Sequence, residues 1–180
     1  MTSSKAPEAS ILIGPPGAGK STVGGLLARE VEIPFVDSDA VIEREQSRTI
    51  SEIFFEEGEG FFRELEERAV LGLLETPRGV IALGGGAILS EKIAARLRSL
   101  TEMSAGKVEV LFLDVSIAHA APRVGFNKER PLLMVNPRGS WQELMNKRRP
   151  IYESLATRII DTNNCTPEDV VRKIVAGWGR

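Results

Sequence analysis

Residues Gly14-Pro15-Pro16-Gly17-Ala18-Gly19-Lys20-Ser21 form an unbroken instance of the pattern G-x-x-x-x-G-K-[ST]. The chemistry such a loop can do is phosphate binding. Its glycines let main-chain N–H groups turn together onto phosphate oxygens. A helix beginning at its end adds the positive end of a helix dipole. Lys20 can reach the β- and γ-phosphates of a nucleotide, and the Ser21 hydroxyl can ligate Mg²⁺. With glycine near ~7% of residues, a chance match in a chain of this size is on the order of one in a few hundred. A glycine-rich turn with an ordinary surface lysine is the bland alternative, and it leaves the strand before and the helix after unexplained. The loop marks an ATP-binding phosphotransferase.

A phosphate loop names the donor, not the acceptor, so the other reactive clusters decide. Asp37-Ser38-Asp39 follows a short apolar run, where one carboxylate could face Mg²⁺ and its waters and the other a substrate hydroxyl. The bland reading is that Asp39 caps the helix that follows, and both roles are compatible. Gly84, Gly85 and Gly86 end another apolar run, and three glycines in a row let a ligand touch main chain directly. Arg63 lies within one helical turn of Glu66 and Glu67, so a carboxylate can hold its guanidinium in place, although a surface ion pair would look the same. Lys147-Arg148-Arg149 is a basic run that a solvated helix face also explains.

These side chains need elements to bring them together. Apolar runs at 10–13, 35–36, 80–83, 108–113 and 158–160 predict five strands, alternating with amphipathic segments. Helices are expected over 21–30, 40–45 and from about 61 to 74, the last after breaks at Gly58 and Gly60. Thr49-x-x-Glu52 and Ser140-x-x-Glu143 fit capping boxes, and Thr166-Pro167 fits an N-cap followed by proline. Strand–helix alternation predicts an α/β fold: three layers, with a five-stranded parallel sheet covered on both faces. In such sheets ligands bind at the carboxyl ends of the strands. The asparates at 37–39 and the three glycines should therefore meet the phosphate loop at one edge. A single kinase domain is expected over 10–180, after a short flexible tail at 1–9, with a lid at about 125–139 that is rich in proline, glycine and charge.

Composition removes several classes. The chain has 180 residues, 42% of them hydrophobic, enough for one domain with a sizeable core. A net charge of −2 argues against a dedicated nucleic-acid or anionic-membrane binder. Cys165 is the one cysteine, so no internal disulfide forms, and no stretch approaches a membrane span. The expectation is a cytoplasmic protein, with a monomer as the default for so small a kinase. A signalling GTPase would need N-K-x-D and D-x-x-G; Asn127-Lys128-Glu129-Arg130 lacks the aspartate and D-x-x-G is absent. Two alternatives stay open at this point. One is another small-metabolite kinase, such as a gluconate kinase, and the other a noncatalytic nucleotide-binding module.

Taken in order, the loop at 14–22, Val36-Asp37-Ser38-Asp39, Phe62-Arg63-x-x-Glu66, Leu83-Gly84-Gly85-Gly86, Arg130-Pro131-Leu132-Leu133, Arg148-x-Pro150-x-Tyr152 and Asp161-Thr162-Asn163 resemble the bacterial shikimate kinases, within the nucleoside-monophosphate-kinase-like P-loop enzymes. The resemblance covers nearly the whole chain after the tail. It implies transfer of the γ-phosphate of ATP to the 3-hydroxyl of shikimate, giving shikimate 3-phosphate on the route to chorismate and the aromatic amino acids. It also implies Mg²⁺ as cofactor, with Ser21 as ligand and Asp37 holding the ion through water. Gly17, Ala18, Gly19, Lys20, Ser21 and Thr22 match the ATP-binding loop, and Arg123 and Pro167 match positions flanking the adenine. Asp39 matches the residue that contacts the acceptor hydroxyls and is the candidate general base. Arg63 and Arg148 match the pair gripping the shikimate carboxylate, with Glu66 orienting Arg63; Gly84, Gly85 and Gly86 match main-chain contacts to shikimate. Arg130 matches the lid arginine that closes over the transferring phosphate. Asp114, at the end of a Walker-B-like run, is then a loop or cap residue rather than the metal carboxylate.

Several residues depart from that pattern. The segment 103–107 is an expected surface insertion. Arg149 beside Arg148 leaves open which of the two faces substrate. Asn164 and Cys165 stand where many relatives carry arginine near the adenine. His119 is read as incidental, and Trp141 and Met145 as packing residues.

Overall fold

The run beginning at Ala9 is apolar enough to be buried on both faces, and it becomes the centre of the sheet. In a computed structural model, which describes residues 6–124 and 137–179, β1 (Ala9–Ile13) is buried along its whole length. Beside it lie β3 (Gly79–Ala82) and β4 (Val108–Asp114), flanked in turn by β2 (Phe35–Asp37) and β5 (Arg158–Asp161). The order is β2-β3-β1-β4-β5, and each neighbouring pair is parallel. Parallel strands need crossover helices, which cover the sheet on both sides.

Among the described residues six α-helices lie in those crossovers, α1 (Lys20–Glu30), α2 (Ser38–Gln46), α3 (Ile50–Leu73), α4 (Glu91–Met103), α5 (Ile117–Val124) and α6 (Pro137–Leu155), and α7 (Pro167–Ala176) follows the last strand. The box expected at Thr49 and the N-cap expected at Thr166 both form; Glu52 reaches back to the cap amide, and Asp169 does the same at Thr166 and so makes a second box there. The other expected box does not: Ser140 lies inside α6, which begins at Pro137. The segment before α3's second half also differs from expectation. Only Gly58 leaves helical geometry (φ 84°, ψ 175°), so α3 kinks there and runs straight through Gly60. Ala9, expected at the end of the tail, is the first residue of β1, and the Glu8 and Ala9 amides bond the Lys107 carbonyl.

The main core fills both faces of the sheet around Ile11, Leu12, Phe112 and Leu113. A second cluster, including Ile42, Ile53, Phe62 and Leu65, holds α2 against α3. At the amino-terminal edge of the sheet the buried Glu109 carboxylate is satisfied by Ser10 Oγ at 2.7 Å, Trp178 Nε1 at 2.8 Å and Arg158 Nη1 at 3.1 Å. A buried charge with that many donors is a structural anchor. The 103–107 segment lies at the same edge, turning through Ala105 and Gly106, both at positive φ, with Met103 exposed. It is far from the phosphate loop, at the opposite ends of the strands. Among the described residues no helix is long and apolar enough to cross a membrane.

Burial ranks the cost of truncation. Ile11→Ala in the central strand should lower unfolding free energy by about 2–5 kcal/mol in a denaturant titration. Phe55, 92% exposed on α3, should tolerate Phe55→Ala within about 0.5 kcal/mol.

Candidate active site

The carboxyl ends of the strands collect the reactive groups. β1 runs into the glycine loop, and α1 starts at Lys20 with Gly19 as N-cap (φ 88°, ψ 19°). That left-handed turn suits glycine, and no side chain caps the helix, so its first amides point into the loop. Such an opening is an anion site. Lys20 Nζ folds back over the loop and donates to the carbonyls of Gly14 at 2.8 Å and Pro15 at 3.1 Å. A cavity of about 400 Å³ opens beside it, lined by residues 16–23 and faced by Arg123, Cys165, Pro167 and Val170. Arg123 is steered by the carbonyls of Thr162 at 3.2 Å and Cys165 at 3.5 Å. The loop residues and both adenine-flanking positions expected from sequence thus share one cavity.

Asp37 closes β2 and does two things at once. Its Oδ1 accepts the Asp39 amide at 2.9 Å, capping α2, while its Oδ2 accepts from Ser21 Oγ at 2.5 Å. The cap is therefore Asp37, not Asp39, because the chain leaves extended geometry at Asp37. Asp39 lies in the first turn of α2, aimed at the glycine turn after β3. A Cβ on Gly84 would come within 2.8 Å of Asp39 Oδ1 and would run into the Glu66 carboxylate. One on Gly86 would run into the Arg63 guanidinium. Glycine there is a matter of close approach: acids and an arginine press directly on main chain. Ser38, buried behind them, accepts the Gly84 N–H at 3.0 Å and fixes the turn to α2.

The kinked α3 delivers Arg63 and Glu66 to the same place. Glu66 is 2% exposed and bonded to Arg63, which also reaches Glu59 at 3.2 Å. Burial pushes the Glu66 carboxyl above its usual range; Arg63 and, less strongly, Arg148 oppose that, while Asp39 adds to it. Those mutual influences place Asp39, Arg63, Glu66 and Arg148 within one electrostatic neighbourhood. Glu67, the other possible partner of Arg63, instead accepts from Ser90 and Lys92, each at 2.6 Å. Phe62 lies under Arg63, 5.3 Å from ring centroid to guanidinium carbon, and its ring meets Phe54 at 4.7 Å.

The neighbouring arginines of α6 separate cleanly. The Arg148 guanidinium lies near the Tyr152 hydroxyl, where its charge opposes the effect of burial on the phenol, on the acceptor side of the glycine turn. Arg149 makes a fork-to-fork pair with Asp114 at 2.7 and 2.9 Å and lies over Phe112. Asp114 is thus the last residue of β4 rather than a loop or cap residue, and both its oxygens are engaged by Arg149. The incidental His119 also has a local task, joining Ser116 Oγ at 2.8 Å to Asn164 Oδ1 at 2.9 Å. Arg130 and most of the expected lid at 125–139 lie outside the described residues.

Two groups in the site had no sequence signal beyond apolar packing or membership of a motif. Tyr152, fully buried, donates to the Gly85 carbonyl at 2.6 Å, and burial pushes its phenol up to about 12. Trp141, also buried, donates its indole N–H to the Pro16 carbonyl at 3.2 Å.

Comparison with known proteins gives this geometry its relatives. A family model described as shikimate kinase matches residues 16–177. A shikimate kinase of Rhodococcus jostii is 45% identical over 95% of this chain and 97% of its own length. One of Thermobifida fusca is 47% identical over 92% of this chain and 91% of its own. Among solved structures, a shikimate kinase from Acinetobacter baumannii in complex with shikimate superposes with a TM-score of 0.86 at 35% identity, covering 94% of this chain and 91% of its own. A gluconokinase from Sinorhizobium meliloti, at 19% identity and a TM-score of 0.55, shares the fold alone. The chain belongs to the shikimate kinase family.

Proposed function

We propose that this chain transfers the γ-phosphate of ATP to the 3-hydroxyl of shikimate, and that the residues assembled at the strand ends divide that work. The observation carrying this reading is the convergence of Asp39, Arg63, Glu66 and Arg148 on the Gly84–Gly86 main chain, beside the phosphate-loop cavity. A base and two guanidinium groups at one wall suit a small hydroxylated carboxylate. Arg63 and Arg148 would grip the carboxylate as planar forks. The buried Glu66 would hold Arg63 in position, and Phe54 and Phe62 would wall the ring. Gly84, Gly85 and Gly86 leave room for the substrate against main chain.

In the transfer, Asp39 accepts the hydroxyl proton as the oxygen bonds to the γ-phosphorus. The bond from phosphorus to the β–γ bridging oxygen breaks, and ADP leaves. Most of the rate comes from positioning and from stabilising charge on the transferring group. Lys20 and the open amides of α1 supply that charge from the donor side. The family resemblance assigns Arg130 the matching role from above.

The donor set also fits Mg²⁺. Ser21 Oγ and Asp37 Oδ2 already converge, hydroxyl against carboxylate, at 2.5 Å. Among the described residues no cluster of three or more His, Cys, Asp or Glu could cage a metal. That sparse set suits an ion held largely by phosphates and water. Bound there, Mg²⁺ would neutralise charge on the β- and γ-phosphates. We take the working unit to be a monomer in the cytoplasm, where ATP is supplied, since one chain contributes every residue invoked.

Two measurements test the reading. The product, isolated and examined by NMR, should show phosphorus coupled to the proton on carbon 3; coupling to another ring proton would overturn the regiochemistry. Arg148→Ala should weaken shikimate binding by about 1.5–3 kcal/mol, roughly 10- to 150-fold. Arg149→Ala should act on stability through the Asp114 pair and leave shikimate affinity within about twofold. A larger binding defect in Arg149→Ala would reverse their assignments.

A further inference from the structure

Helix α6 carries three groups aimed at the two halves of the site. Trp141, Met145, Arg148 and Tyr152 follow the i, i+4, i+7, i+11 spacing that lines one helical face. Near its start, the buried Trp141 indole donates to the Pro16 carbonyl in the phosphate loop at 3.2 Å. About three turns later, the buried Tyr152 hydroxyl donates to the Gly85 carbonyl at 2.6 Å, with the Arg148 guanidinium nearby. The two loops so held are themselves in contact. A Cβ on Gly85 would lie 3.3 Å from Pro16 Cδ and 3.4 Å from the Gly14 carbonyl oxygen. Met145, 2% exposed, belongs to the same core cluster as Trp141 and Tyr152.

Both hydrogen bonds leave α6 through side chains and end on other segments. Indole and phenol are donor-bearing aromatics whose polar tips each end on a loop carbonyl, while their bodies are in the core. Pro16 lies next to the glycines that receive phosphate. Gly85 lies between the two glycines pressed by Asp39, Glu66 and Arg63. We propose that Trp141 and Tyr152 are positioning residues which use α6 as a strut, setting the spacing between the phosphate loop and the acceptor's glycine turn. In-line transfer requires the acceptor oxygen within near-attack distance of the γ-phosphorus, where a small misplacement costs rate steeply. The strut rests on the assignment of the acceptor side given above.

The test uses the full-length chain and the variants Trp141→Phe, Tyr152→Phe and their combination. Tyr152→Phe removes the hydroxyl alone, while Trp141→Phe removes the N–H donor together with part of the indole and keeps a smaller aromatic ring. Tyr152→Phe should raise the KM for shikimate roughly 3- to 10-fold, because the Gly85 carbonyl loses its partner. Its Kd for ADP, measured calorimetrically without acceptor, should stay within about twofold of wild type. Trp141→Phe should raise the Kd for ADP roughly 3- to 10-fold and leave the KM for shikimate nearly unchanged. Both should lower kcat, and the double variant should have a kcat close to that of the slower single variant, as residues acting as one unit do. Multiplying kcat losses would overturn the strut, as would variants that shift only the melting temperature. Should Trp141→Phe fail to fold, Tyr152→Phe decides alone: an unmoved KM for shikimate overturns the proposal. A wild-type chain inactive toward shikimate would instead sink the acceptor assignment, while the ADP titrations would still report on the Trp141 half.

Discussion

Asp39→Asn should lower kcat by about 10²–10⁴-fold, the range removed with a general base, while the Kd for ATP stays within about twofold. The amide keeps the size and shape of the carboxylate but cannot take the hydroxyl proton. Its setting makes this a clean substitution. Asp39 does not cap α2, since Asp37 performs that task through the Asp39 amide. It stands instead at the Gly84 turn, 2.8 Å from where a Cβ would be, within the electrostatic reach of Glu66. Losing the charge there leaves the helix end intact and removes the carboxylate proposed as the base at the Gly84 turn. Steady-state kinetics with a parallel nucleotide titration reads both numbers. An unchanged kcat would remove Asp39 from the chemistry.

The second large effect belongs to Lys20. Lys20→Met retains most of the aliphatic stem and deletes the ammonium, and kcat should fall by about 10²–10³-fold, as on removing a donor aimed at developing charge. Lys20 donates to the Gly14 and Pro15 carbonyls of its own loop. On the proposed mechanism, exchanging those contacts for phosphate oxygens would put the positive charge where it acts during transfer. Single-turnover rates distinguish this from loss of affinity: the defect should persist at saturating ATP. Full recovery of the rate at saturation would mean that Lys20 only binds.

Much of this arrangement was legible from local pattern. Each apolar run became a strand, and the phosphate loop followed from residue types alone, because glycines, a lysine and a hydroxyl in that order answer one chemical demand. The failures were of a different kind. Gly58 and Gly60 look alike on paper, yet only Gly58 adopts positive φ; a glycine permits that conformation without demanding it. Ser140-x-x-Glu143 satisfies the capping pattern, but a cap exists where the backbone enters the helix, and that happens at Pro137. Arg148 and Arg149 part because successive residues lie about 100° apart around a helix: Arg149 is taken up by Asp114, while Arg148 lies near Glu66 and Tyr152. Trp141 and Tyr152 were invisible as anything but packing or motif, since their partners are carbonyls 125 and 67 residues away in sequence. Main-chain acceptors leave no residue-type signature, so such bonds emerge only from the fold.

The most direct test of a two-substrate site is acceptor-dependent ADP release. The purified chain with Mg²⁺-ATP is given shikimate, gluconate, a nucleoside monophosphate or no acceptor in a coupled assay. ADP should appear with shikimate alone, at a rate far above the acceptor-free background. Equal release with and without shikimate, or release driven instead by gluconate or a nucleotide, would contradict the assignment of Asp39, Arg63 and Arg148 to a shikimate site.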